Sequence, residues 1–410
     1  MKNIHMKNTS QFRSSQIVVT ITSIACFLTL TLSAQVASAQ TAIEGKPVKQ
    51  SPLKSWSQFR IGEDNLGSIG ETEIQKPKQL WEFSTGEIIE SSTAVVDGIV
   101  FIGGHTNKMH ALDATTGKLK WKFDVDGWVR ASPSVVDGTV YFGADDNKFY
   151  ALDTATGEKK WDFPLGEGGE QSSPAIVDGI VYFGAFDHFV YALDAKTGKE
   201  KWKFDARASM LSSPCVHDGA LFISTYNGEL FCLDVATGKE RWSKKFGAKP
   251  MFSSPAVKDG IVYFTSYDLH IYAMKAEDGS EVWKYKTDGE IFSSPAVHEN
   301  IVYVGSNDSH LYALNSKDGK LIWKKNLNGP VYSSPAITKK SIYVGSSDGH
   351  VYALERQSGD VRWKHLIKEK TFVWTSPAAI NGKLYLGSHA GDVIAIGEST
   401  DDSGSEKKDN

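Results

Sequence analysis

Few side chains in this 410-residue chain have types and spacings suited to chemistry. Three cysteines, Cys26, Cys215 and Cys232, are too few for a disulfide framework or a four-cysteine zinc site. Cys215 and Cys232 fall on the first and third strands of one repeat, about 9–10 Å apart, too far for a disulfide. His270, His310 and His350 share one register and resemble a row of metal ligands. Repeat duplication makes such rows without function, and the same register elsewhere holds Lys108, Lys148, Phe189, Glu229 and Asp392, so no metal site is expected. Asp146, Asp187, Asp268, Asp308 and Asp348 read as turn formers, and no D-x-D-x-D-G calcium loop occurs. G-x-S-x-G, H-E-x-x-H and C-x-x-C-H are all absent, so hydrolytic or haem chemistry has no candidate and no catalytic residue is assigned.

The elements around these residues follow from one repeat. Trp81, Trp121, Trp161, Trp202, Trp242, Trp283, Trp323 and Trp363 recur every 40 or 41 residues. Each interval carries a small-residue segment such as Ser172-Ser173-Pro174-Ala175, two apolar runs such as Val181–Gly184 and Val190–Asp194, and a last run ending on the tryptophan. Asp-Gly pairs such as Asp178-Gly179 separate the first two runs, and Thr-Gly pairs such as Thr197-Gly198 precede the fourth. These dipeptides supply the positive φ angles of tight hairpins, so each unit reads as a four-stranded antiparallel meander. A tandem array of such sheets is a β-propeller. The C-terminus offers three strands, Trp374 to Ile380, Lys383 to Gly387 and Val393 to Ile396, and lacks a fourth; Gln79–Phe83 near the N-terminus supplies it. The expected fold is all-β, an eight-bladed propeller whose last blade is closed by the N-terminal strand. The periodic tryptophans are expected to pack between neighbouring blades as structural residues.

With the scaffold so regular, the variable positions become informative. The residue just before each small-residue segment is Glu90, Arg130, Gln171, Leu211, Phe252, Phe292, Tyr332 and Trp374 in turn. Three consecutive blades are polar here and five are apolar or aromatic. Facing a funnel mouth, these positions would form a greasy arc and a polar arc, a candidate surface for a partner or ligand. Pointing into the sheet interface, they would only fill space.

The chain's ends carry a different kind of information. Lys2, Lys7 and Arg13 precede an apolar stretch from Ile17 to about Leu32 and an Ala37-Ser38-Ala39 cleavage pattern, the signature of a signal peptide over 1–39. Ser23-Ile24-Ala25-Cys26 does not make a lipidation motif. Residues 40–55 read as a flexible leader, 56–397 as the propeller and 398–410 as a disordered polar tail. The expected location is periplasmic or extracellular, with no span left in the chain after cleavage. A formal net charge of −4 gives no basis for a nucleic-acid surface.

The unit from Ser172 to Trp202, together with the leader Trp56-Ser57-Gln58-Phe59-Arg60, resembles the pyrroloquinoline-quinone (PQQ) type propeller repeat, over about residues 56–397. That resemblance implies one of two branches. Quinoprotein alcohol dehydrogenases bind PQQ and Ca²⁺ and stack the quinone on a disulfide of adjacent cysteines; this chain has no Cys-Cys pair. Exported propellers similar to BamB, the outer-membrane assembly scaffold, are non-catalytic. The residues favour the second branch: an exported scaffold binding another envelope protein or complex, without a cofactor. A PQQ-dependent oxidoreductase and a carbohydrate or small-ligand sensor are the alternatives.

Overall fold

The turn chemistry and short apolar runs resolve into eight four-stranded antiparallel sheets, in a computed structural model that describes residues 55–56, 67, 73–169 and 172–399. In blade 1 the strands are Ala94–Val96, Ile99–Ile102, Lys108–Asp113 and Leu119–Asp124. The short first strands of successive blades touch one another and form the innermost ring. Blade 8 consists of Ala378–Ile380, Lys383–Gly387 and Asp392–Glu398, closed by the N-terminal strand Pro77–Ser84, as the sequence predicts. Its first strand starts later than expected from Trp374, because the small-residue segment bends. The Thr375 hydroxyl there bridges the N–H and C=O of Gly387, and Ser376 enters the serine ring described below. The last strand runs to Glu398, whose carboxylate accepts from the N–H groups of Gln75 and Lys76 at 2.7 and 2.9 Å. The expected signal segment 1–39, the leader up to residue 54 and the tail after residue 399 lie outside the described residues.

Two rings of contacts hold the blades together. In the inner ring the N–H of the second small residue of each blade donates to the serine hydroxyl of the next. Ser92 donates to Ser132, Ser132 to Ser173, Ser173 to Ser213 and Ser213 to Ser254. Ser254 donates to Ser294, Ser294 to Ser334, Ser334 to Ser376, and Ser376 back to Ser92. All eight bonds are buried and 2.9–3.1 Å long. In water-free surroundings each would be costly to lose.

The outer ring is built by the tryptophans. The residue before each one, such as Lys160 or Lys201, is a β-bulge in the fourth strand, which re-aims the indole at the following blade. Its Nε1 then donates to the carbonyl that opens the next blade's last hairpin: Trp81 to Ala114, Trp121 to Thr154, Trp161 to Ala195, Trp202 to Val235. Trp242, Trp283 and Trp323 repeat this with Ala276, Ser316 and Arg356. The second-strand tyrosines Tyr141, Tyr182 and Tyr385 share the same carbonyls with their blade's tryptophan. The turn glycine lies flat against the ring; a Cβ on Gly198 would come within 2.7 Å of Trp161.

At the joint of blades 7 and 8 no hairpin links the last two strands of blade 8, Asp392–Glu398 and Pro77–Ser84, and Ile74 takes its place. Trp363 Nε1 donates to Ile74 O at 2.7 Å, and Ile74 N donates to the Tyr343 hydroxyl at 3.1 Å. Glu73 locks the segment to blade 7, accepting from the Thr338 and Ser341 hydroxyls, the Lys340 N–H and Arg362. Further back, Ser55–Trp56 adds a fifth strand to the inner edge of blade 1, pairing with Val96 and Val95, and Gly67 O accepts from Ile337 N in blade 7.

One core position carries a titratable group. Where six third strands carry an aromatic such as Tyr150, Tyr191, Phe231 or Tyr272 and blade 8 carries Ile394, blade 1 carries His110, 5% exposed. Burial, aided by Lys108 and Lys122, lowers its pKa to about 4. The unfolded chain then binds the extra proton, so stability is full above the unfolded value of 6.5 and drains away as pH falls towards 4. Urea titrations of His110→Phe should therefore recover on the order of 2–3 kcal/mol of the stability lost between neutral pH and pH 4 in the native chain. A second comparison separates packing from backbone strain. Gly179 and Gly198 share a φ near +70°, but only Gly198 faces an indole. Gly179→Ala should cost about 1 kcal/mol and Gly198→Ala about 2–4 kcal/mol, read from denaturation midpoints.

Candidate functional site

Each strand alternates the face on which the chain turns, so the blade-to-blade crossovers and the second-to-third-strand turns share one face. The candidate residues lie on these crossovers, two positions before the ring serines. The seven described ones, Glu90, Arg130, Leu211, Phe252, Phe292, Tyr332 and Trp374, are all half-buried, neither lost in the core nor free of it. Gln171 lies outside the described residues.

A second variable column, missed from sequence, meets the first. It follows each second strand: His105, Asp145, Phe186, Tyr226, Tyr267, Asn307, Ser347 and His389. In every blade its backbone N–H donates to the crossover residue two before the candidate, for example His105 to Ile88, Asp145 to Trp128 and His389 to Phe372. The signal was present in the sequence as another unlike residue in a near-constant frame. Its partnership with the crossover is a tertiary contact that strand periodicity does not encode.

Together the columns build two sectors. In the apolar one, ring meets ring across four consecutive blades. Phe252 stacks on Phe292 at 4.7 Å, Phe292 meets Tyr332 at 5.1 Å, and Tyr332 meets Trp374 at 4.8 Å. Tyr267 wedges against Phe252 and Phe292 at 4.8 and 4.6 Å, and Tyr226, 48% exposed, abuts Phe252. Burial raises the Tyr267 and Tyr332 hydroxyl pKa values, so both stay neutral donors. In the polar sector Arg130 pairs with Asp145 at 2.5 Å, and Glu90 lies 3.2 Å from His105.

The histidine row and turn aspartates have local work. Nδ1 of His270 and of His310 lies 2.8 and 2.9 Å from the carbonyls of Asp268 and Asp308. Those aspartates, with Asp146, Asp187 and Asp348, accept the hydroxyl of the tyrosine four residues on. Cys215 and Cys232 are buried cysteines outside any disulfide, on either side of Phe222 in the sheet, and burial pushes the Cys232 thiol up to about 12. Among the described residues no group of three or more His, Cys, Asp or Glu side chains converges to hold a metal ion. Cys215 and Cys232, held on either side of Phe222, are not the adjacent cysteine pair on which a quinone would stack.

Three stretches of the chain, 67–203, 186–293 and 287–402, match the family described as outer membrane protein assembly factor BamB. No curated protein matches the sequence. Among solved structures, BamB from Moraxella catarrhalis superposes with a TM-score of 0.67 at 19% identity, covering 78% of this chain and 99% of that one. A europium-containing methanol dehydrogenase gives 0.73 at 14% identity, over 85% and 98% of the two chains. Quinohemoprotein alcohol dehydrogenase from Comamonas testosteroni gives 0.73 at 15%, over 89% and 84%. At these identities the likeness is one of fold. Equilibrium dialysis of residues 40–410 against micromolar PQQ, with and without Ca²⁺, should show no uptake; tight calcium-dependent uptake would contradict the misfit of the cysteines.

Proposed function

Since the chain belongs to the BamB family of propellers, we propose that it is an exported, non-catalytic scaffold that docks another protein of the cell envelope on its crossover face. Export rests on the basic, apolar and small-residue order of residues 1–39. Docking rests on the unbroken aromatic wall from Tyr226 through Phe252, Phe292 and Tyr332 to Trp374. Half-buried rings held by one another present a rigid apolar surface at little entropic cost, the usual character of interface anchors. The occupant that suits them is an apolar or aromatic segment of a partner, with the polar sector as rim.

The test is affinity capture from envelope extract with the native chain and the Phe252→Ala/Phe292→Ala/Tyr332→Ala variant, after circular dichroism has shown that both fold. Loss of a partner that the native chain recovers is the expected result. Equal recovery by both would remove the wall as the docking site.

A further inference from the structure

We propose that the polar sector, with Trp374 at the edge it shares with the aromatic wall, also binds a neutral saccharide across blades 8, 1 and 2. The site begins at the end of the aromatic wall, where the Trp374 and His389 rings lie 4.0 Å apart. It continues through Glu90 to His105, which stacks on Trp128 at 4.2 Å and 4°. Trp128 is 43% exposed, Phe372 beside Trp374 is 45% exposed, and Arg130 lies over the Trp128 ring at 5.3 Å.

Three observations select the ligand class. First, polar atoms here are buried without a hydrogen-bond partner among the described residues: Trp374 Nε1, His389 Nε2, Asp145 Oδ1 and His105 Nε2. His105 Nε2 is 3.2 Å from the Glu90 carboxylate but out of line for a hydrogen bond. Such atoms are expensive in isolation, and they include both donors and acceptors. Second, Arg130 already pairs with Asp145, so an ionic ligand would have to break that pair, whereas a neutral one need not. Third, partly exposed ring systems lie beside those atoms and offer flat apolar surface. A pyranose meets all three conditions: its hydroxyls both donate and accept, it carries no charge, and one face of its ring is a patch of C–H groups.

Isothermal titration calorimetry of the full chain against maltotetraose, cellotetraose, mannotetraose and chitotetraose tests this. At least one should bind with a Kd in the range of about 0.1–10 mM, typical of a shallow site. Trp128→Ala and Glu90→Gln should each weaken that binding about tenfold or more, and Lys196→Ala on the opposite face should leave it unchanged. Thermal melts confirm that the variants fold. Absence of heat with all four sugars at about 10 mM, or binding undiminished in both Trp128→Ala and Glu90→Gln, overturns the proposal.

Discussion

Eight buried hydrogen bonds, each from a backbone N–H to the next blade's serine, close on themselves around the axis. A closed ring is a geometric constraint as well as a sum of bonds: every inter-blade angle is fixed by the other seven, and none can relax alone. The second small-residue position is therefore serine in every blade, Ser92 and Ser376 included, although their neighbours differ. The same ring explains why variation two residues earlier is tolerated. The crossover is anchored immediately after the candidate position, so Glu90 or Trp374 can occupy it without disturbing the inner strands. The outer tryptophan ring works in parallel, and its bulge converts a regular strand into one that reaches sideways.

Much of this was legible in the sequence, for identifiable reasons. Trp161 and Trp202 announce the period because one packing task recurs once per blade, and Asp178-Gly179 marks its turn because φ there is positive. Gln79–Phe83 was recognisable as the missing fourth strand by subtraction. Other features were not legible. The bulge at Lys201 looks like any alternating strand residue. Ile74 acts as a turn surrogate only because Trp363, far along the chain, finds its carbonyl.

The candidate site divides in the same way. That Phe252, Phe292, Tyr332 and Trp374 are unlike their polar counterparts was plain. Whether they face solvent was not, since inner strands are covered on both sides and carry no amphipathic period. His105, Tyr226 and His389 escaped notice because their column is joined to the crossovers by backbone bonds between distant segments. A constant frame thus shows where variation sits, and tertiary contacts decide which varying columns share a surface.

Ile74's substitution for a hairpin has a bearing on biogenesis. Seven blade joints unite residues 33 or 34 positions apart, but the joint made by Trp363 spans 289. Blades 1 to 7 can thus mature in order as the polypeptide emerges, whereas the eighth has to await the strand Asp392–Glu398 at the far end. Until then Pro77–Ser84 is an unpaired edge, the kind of surface that recruits other strands. A ring of this design stays open, with a strand edge exposed to other chains, until Asp392–Glu398 has been made and pairs with Pro77–Ser84.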